Sequence, residues 1–156
     1  MKLGTKGRYA VMAIADLARH GDQSPVTLSE IAQRQQISLS YLEQIFAKLR
    51  RAGLVKSVRG PGGGYLLGRQ RAEISVSDVM AAVEEPNKAR VCMPHYPSHC
   101  SATENYCATH DLWVRLSSTL NDFLSSITIA DVLERNFELP DPRDILQLKS
   151  NPCAAE

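Results

Sequence analysis

Apolar residues recur at three- and four-residue steps in the first twenty positions, which is the period of an amphipathic helix. Those on the shared face are Tyr9, Met12, Ala13, Ile14, Leu17 and Ala18. Gly21 follows directly, and glycine commonly stands just past the end of a helix. The pattern therefore predicts a helix from Thr5 to His20 with one buried face.

Two further helices are predicted downstream. Thr27 and Glu30 have the spacing of a capping box, which starts a helix running to about Gln35. After a short turn, the stretch SLSYLEQIFAKLRRAG predicts a third helix, capped by Ser38 or Ser40. Its expected buried residues are Leu39, Leu42, Ile45, Phe46 and Leu49. Two short helices joined by a tight turn, the second with polar residues at its exposed N-terminal end, are typical of a helix-turn-helix.

The exposed side of the third helix carries side chains that suit the major groove of double-stranded DNA. Glutamine pairs with adenine, glutamate accepts from cytosine, and lysine or arginine binds guanine or phosphate. Glu43 is also expected to repel phosphate and so to select among operators. The predicted DNA-binding residues on this helix are Ser38, Ser40, Tyr41, Glu43, Gln44, Lys48 and Arg51. The competing interpretation, a plain solvated face, accounts less well for the hairpin that follows.

That hairpin is predicted from two β-rich runs around a glycine-rich connection, RGPGGG. The runs consist of Leu54, Val55 and Val58, then Tyr65, Leu66 and Leu67. The loop lacks the Gly-Lys-Ser/Thr ending of a phosphate-binding loop and does not open a helix, which argues against nucleotide binding. As a wing, it places Arg59 at the tip, where a guanidinium can enter a narrow minor groove.

The distribution of charge agrees with a DNA-binding first half. Residues 1–70 contain eleven Lys/Arg and four Asp/Glu, whereas residues 71–156 contain seven and thirteen. A basic half joined to an acidic half is typical of a nucleic-acid-binding domain with an appended module. No apolar run approaches the roughly 20 residues that span a bilayer, and the N-terminus is a poor signal peptide. We therefore expect a cytoplasmic protein without a membrane partner.

The acidic half divides into a short helix, a long loop and a second helical segment. The short helix begins at Ser75-Val76-Ser77-Asp78 and ends near Glu84, and a last helix is expected from Ile129 to about Asn136. Between them, apolar residues follow the alternating three-four spacing of a helix that pairs with another helix: Trp113, Leu116, Leu120, Phe123 and Ile127. This seam favours a symmetric homodimer on a palindromic operator, with packing on the winged domain as the alternative.

These elements predict a mainly α fold with a small β-hairpin, divided into four segments. Residues 1–85 form a winged helix-turn-helix domain, 86–110 a metal- or cluster-binding loop, 111–137 the dimerisation helices and 138–156 a flexible tail.

The loop holds three of the four cysteines of the chain. In a chain without a secretory signal, clustered cysteines indicate a metal site or a reactive thiol. The gaps of seven and six residues are wider than the knuckles of structural zinc sites and favour an iron–sulfur cluster. Zinc and a redox thiol switch remain alternatives. His95 and His99 are expected to face solvent, and Cys153 to be a free thiol.

Several of these stretches together resemble the Rrf2 family of bacterial transcription regulators. They are TKGRYAVMAIADLA, ISLSYLEQIF, GLVKSVRGPGGGYLLG, CATH and DLWVRL. The resemblance covers roughly residues 1–136 and implies a homodimeric winged-helix repressor of genes for cluster assembly. It also implies a [2Fe–2S] cluster held by Cys92, Cys100, Cys107 and His110, although both gaps between the cysteines are longer here than in the family pattern.

Three other functions are weighed against the cluster sensor. One is a nitric oxide- or iron-responsive repressor of the same family. Another is a DNA-binding repressor in which a zinc ion only stabilises the fold of the loop. The third is an enzyme or electron carrier, for which the sequence offers no partner cofactor site and no nucleophile–base motif. A histidine ligand can be protonated, so His110 would make the cluster easier to lose when iron or sulfur is short.

Overall fold

The computed structural model of the chain describes residues 4–21, 24–84 and 110–136. Its helices are α1 (Thr5–His20), α2 (Leu28–Gln35), α3 (Leu39–Arg51), α4 (Val76–Val83), α5 (His110–Ser126) and α6 (Ile129–Glu134). The strands β1 (Val55–Val58) and β2 (Gly64–Leu67) form an antiparallel hairpin, and Arg71–Glu73 forms a 3-10 turn. The mainly helical fold with a small hairpin is thereby confirmed. The predicted tail and the predicted metal-binding loop, apart from His110, lie outside the described residues.

The start of α2 is held by the predicted capping box. The Glu30 carboxylate accepts from the Thr27 backbone N–H at 2.8 Å, and the Thr27 hydroxyl accepts from the Glu30 N–H at 3.3 Å. These bonds satisfy donors that the first turn of a helix leaves unpaired. At α3, Ser38 is the N-cap residue, as predicted, but its side chain makes no capping hydrogen bond, and the alternative cap Ser40 lies inside the helix.

The buried face of α3 matches the sequence pattern at four of five positions. Leu42, Ile45, Phe46 and Leu49 are fully buried, whereas Leu39 is 41% exposed. The prediction that Leu39 is buried is therefore wrong. Leu39 is the first helical residue, and helical side chains lean toward the N-terminus, so it extends past the start of the helix where no preceding turn covers it.

The hairpin is anchored to the helical core at its second strand. Val55 pairs with Leu67 and Val58 with Gly64, and Tyr65 exchanges backbone hydrogen bonds with Val26 at 2.8 and 3.0 Å. The Tyr65 ring also packs edge-on against Phe46, with centroids 4.9 Å apart. These contacts fix the hairpin relative to α3, because Phe46 belongs to that helix.

The helix that ends the described chain belongs to the same core. Ile129 of α6 is fully buried, and its N–H donates to the Ile74 carbonyl at 2.9 Å. The Val76 N–H donates in turn to the Ile127 carbonyl at 2.9 Å. The second helical segment thus returns to the winged domain at α6, which ends at Glu134 and not near Asn136.

A charged cluster clamps α1 to α2. Asp16 is the one charged side chain among the described residues that is buried, and its carboxylate accepts from the Arg34 guanidinium at 2.7–3.1 Å and from the Gln35 amide at 2.9 Å. Burial raises the pKa of Asp16. The hydrogen bonds from Arg34 and Gln35, with the nearby charges of Arg34 and His20, outweigh burial and hold this pKa below its usual value.

Asp16→Asn is therefore expected to lower the free energy of unfolding at neutral pH by about 2–3 kcal/mol, because the partly buried Arg34 loses its counter-charge. A carboxylate with a depressed folded-state pKa stabilises the fold above its unfolded pKa, and this stabilisation is lost as the pH falls through the folded pKa. Denaturant titrations should show that the difference in the free energy of unfolding between variant and wild type becomes smaller below about pH 4. Asp122→Asn serves as the control, because Asp122 is exposed and its replacement should change the free energy of unfolding by less than about 0.5 kcal/mol. If the difference in the free energy of unfolding stays the same at low pH, Asp16 acts through packing and not through its charge.

Candidate nucleic-acid interface and metal site

The N-terminal half of α3 presents polar side chains to solvent. Ser40, Glu43 and Gln44 are exposed and stand three or four residues apart, so they are neighbours on one face of the helix. Ser38, just before the helix, and Arg51, at its end, are also exposed. A helix face of hydroxyl, carboxylate and amide groups offers both donors and acceptors to base edges.

Tyr41 lies on the flank of this face. Its side chain is half-buried, and its ring meets Tyr9 of α1 edge-on, with centroids 5.9 Å apart and an interplanar angle of 86°. Such pairs are favourable beyond their buried area. Tyr9 therefore restricts the orientation of Tyr41. Sequence reasoning assigned Tyr9 only to the core face of α1.

Lys48 is engaged within the protein. Its side chain is half-buried, and the ammonium donates to the Val83 carbonyl at 3.2 Å. Val83 is the last residue of α4, and a cation at a helix C-terminus satisfies carbonyls that have no helical partner. The structure thus separates Lys48 from the exposed set of Ser40, Glu43 and Gln44. The bond spans 35 residues, so no local pattern could have indicated it.

The wing tip combines an exposed arginine with glycines in special conformations. Arg59 is exposed directly after β1, and Gly60 and Gly62 have φ angles of 108° and 75°, which favour glycine. A Cβ on Gly63 would lie 2.5 Å from the Val58 carbonyl. The loop sequence is therefore explained by its own tight turn, and Arg59 is the cationic side chain that this turn carries.

Of the four predicted metal ligands, one belongs to the described residues. Cys92, Cys100 and Cys107 lie outside them, and His110 is the first residue of α5. Within residues 4–21, 24–84 and 110–136, no group of three or more His, Cys, Asp or Glu could hold a metal ion. The metal site therefore stays a prediction.

Helix α5 exposes an apolar stripe. Leu112, Trp113, Leu116 and Phe123 are 62%, 52%, 44% and 53% exposed, and none of the side chains of residues 111–126 is buried. Leu112 joins the predicted seam because it stands one turn before Leu116. In the described part of the chain this stripe is not covered by the winged domain. No described helix is both long and apolar enough to cross a membrane.

Comparison with known proteins gives a consistent result. The family model described as "Iron-dependent Transcriptional regulator" matches residues 3–135. The chain is 51% identical to the HTH-type transcriptional regulator IscR of Vibrio atlanticus over 93% of this chain and 83% of that protein. It is 50% identical to IscR of Vibrio cholerae, over the same shares of each chain.

Solved structures agree with the sequence relatives. The structure of T. potens IscR superposes with a TM-score of 0.71 and 37% identity, covering 93% of this chain and 96% of that one. CymR, the global cysteine regulator of B. subtilis, superposes at 0.70 with 34% identity, covering 86% and 98%. These relatives are DNA-binding regulators, which agrees with the winged helix and excludes the enzyme or electron carrier. Because the family model spans all six helices and the hairpin, the chain belongs to the Rrf2 family of transcription regulators.

Proposed function

We propose that this protein is a homodimeric repressor that binds palindromic double-stranded DNA through α3 and the wing and responds to a [2Fe–2S] cluster. Its targets, on this proposal, are genes for iron–sulfur cluster assembly. The supporting relatives carry the name IscR, and the family description specifies iron dependence.

One observation carries the DNA-binding part of the proposal. The exposed face of α3 brings Ser40, Glu43 and Gln44 together at the N-terminal half of the helix, which is the part that a helix-turn-helix inserts into the major groove. The Phe46–Tyr65 contact fixes the hairpin against the same helix. With the wing so fixed, Arg59 can reach the minor groove beside the segment that α3 reads.

The proposed dimer interface is the apolar stripe of α5. Four large side chains left in water would be unfavourable, and their spacing is that of a helix packing against a second helix. A two-fold dimer presents two α3 helices, which explains a palindromic site.

The proposed cluster ligands are the thiolates of Cys92, Cys100 and Cys107 and the imidazole of His110. Three thiolates and one imidazole are donors that iron–sulfur clusters accept, and cluster reduction or loss can report iron and sulfur supply. The segment that carries the cysteines begins after α4 and ends at α5. These two helices are joined by a hydrogen bond from the Ser77 hydroxyl to the Asn121 side-chain carbonyl at 3.1 Å.

Coupling between the ligand segment and DNA is proposed to pass through α4. The cysteine segment begins shortly after Val83, and the Val83 carbonyl accepts from Lys48 of α3, the proposed recognition helix. A change in the end of α4 would therefore act on the last turn of α3. Cluster binding shifts DNA affinity only as far as it favours one arrangement of these helices over the other.

The proposed function is tested by selecting duplexes from a random pool with the cluster-loaded and cluster-free protein. The enriched sequences are expected to show two-fold symmetry, and affinity should fall steeply with salt because phosphates are neutralised. Enrichment of the same sequences with equal affinity in both forms would contradict the cluster response while leaving the DNA-binding function intact.

Arg59→Ala is the matched variant for this measurement. It is expected to weaken binding to the selected duplex about tenfold per half-site and to lower the slope of affinity against salt. Arg69→Ala serves as the control, since Arg69 is an exposed arginine after the base of the same hairpin. Equal losses in both variants would indicate a general charge effect and contradict a special role for the wing tip.

A further inference from the structure

Leu39 is apolar and lies where α3 meets solvent. It is the first residue of the helix and is 41% exposed, while Leu42, three residues later, is fully buried. Ser38 and Ser40 on either side of it are exposed as well. The start of the recognition helix thus combines two hydroxyl groups with a solvent-facing isobutyl group.

Helical spacing places Leu39 beside the polar face formed by Ser40, Glu43 and Gln44. Residues four apart are neighbours on a helix, so Leu39 lies one turn before Glu43 and on the same side. Its side chain leans toward the N-terminus, which is the end that enters the major groove. A duplex that contacts Ser40 and Glu43 therefore also covers Leu39.

The chemistry of the major groove limits what can cover Leu39. Most groups on the floor of the groove are hydrogen-bond donors and acceptors, and the apolar group among them is the 5-methyl of thymine. A donor or acceptor covered by Leu39 would lose water without gaining a partner, which is unfavourable. A thymine methyl instead loses only water that it binds weakly.

We infer that Leu39 is a specificity-determining residue that recognises the 5-methyl group of a thymine, at a base pair next to the one that Glu43 faces. This inference rests on the proposed DNA-binding function, and it specifies one base of each half-site.

The test replaces thymines of the selected duplex with uracil, one symmetric pair at a time, because uracil lacks only the methyl group. At one pair of positions, uracil is expected to weaken binding of the wild type about fourfold per half-site, the contribution of one buried methyl group. Leu39→Ala should bind more weakly than wild type and should not respond to uracil at those positions. Since both proteins meet the same uracil duplex, any change in DNA stiffness cancels in the comparison.

Met12→Ala is the matched control. Met12 is an apolar residue of similar exposure, 36%, and lines a groove with Leu133 and Arg135 on the side of α1 that faces α6. It should keep the wild-type response to every uracil. If Leu39→Ala responds like wild type at all thymines, the inference is overturned while specific DNA binding stands. If the wild type enriches no sequence, the proposed function itself fails.

Discussion

Replacing Cys107 with alanine is expected to abolish cluster binding. Wild-type protein purified without oxygen should be brown and contain about two iron and two sulfide ions per chain, and the variant should lose both. The physical reason is that thiolates provide most of the ligand set, and a methyl side chain cannot replace one of them. Visible absorbance, iron and sulfide content, and DNA affinity are measured on the same samples.

Cys153→Ala is the matched control for this experiment. It also removes one thiol from the chain, but Cys153 lies far along the sequence from the proposed ligand segment. This variant should keep its colour, its iron and its response in DNA binding. If the wild type is instead colourless and holds about one zinc ion, the metal has a structural role in the cysteine segment. The cluster-sensing proposal is then withdrawn. Loss of iron in both variants would contradict the ligand assignment.

The expected effect of the cluster on DNA binding depends on the proposed coupling between the cysteine segment and α3. α4 ends at Val83, whose carbonyl accepts from Lys48, and residues beyond it lead into the cysteines. On the proposed function, a ligand bound by this segment would constrain the end of α4 and, through Lys48, the last turn of α3. The cluster-free Cys107→Ala protein is therefore expected to keep its fold and to differ from wild type in its DNA preference.

Periodicity in the sequence correctly predicted the helices, the hairpin and most buried positions, because each depends on residues close together along the chain. Met12 on α1 and Leu39 on α3 were predicted to be buried and are 36% and 41% exposed. The capping box of Thr27 and Glu30 is an example, since both partners belong to one turn. Two assignments on α3 needed information that is not local. Leu39 is exposed because nothing covers the start of the helix, and Lys48 turns toward Val83.

The candidate site could be predicted in part for the same reason. The polar face formed by Ser40, Glu43 and Gln44 follows from helical spacing and is exposed as expected. The hydrogen-bonded pair of the buried Asp16 and Arg34 could not be predicted from the sequence, because its partners lie 18 residues apart on different helices. Arginine at that position reads as an ordinary surface residue unless the packing of α1 on α2 is known.

A negative charge in the α5 stripe is expected to convert the proposed dimer to a monomer. Phe123 is 53% exposed in the single chain, and in a two-fold dimer its ring would pack against the apolar stripe of the partner. Phe123→Asp places a carboxylate there, which must be desolvated for the helices to pack. Light scattering should report a monomer with an unchanged circular dichroism spectrum, because no described contact of the core uses this side chain.

The loss of the dimer should also affect DNA binding strongly. Two linked half-site contacts act at a high effective concentration, so separating them is expected to weaken binding to the palindrome by about 10²–10⁴-fold. Binding to a single half-site should change little. Ser125→Asp is the control, since it adds the same charge at an exposed position on the opposite side of α5 and should leave a dimer. If the Phe123→Asp protein remains dimeric, the dimer interface lies elsewhere. The α5 stripe would then be covered by another part of the same chain.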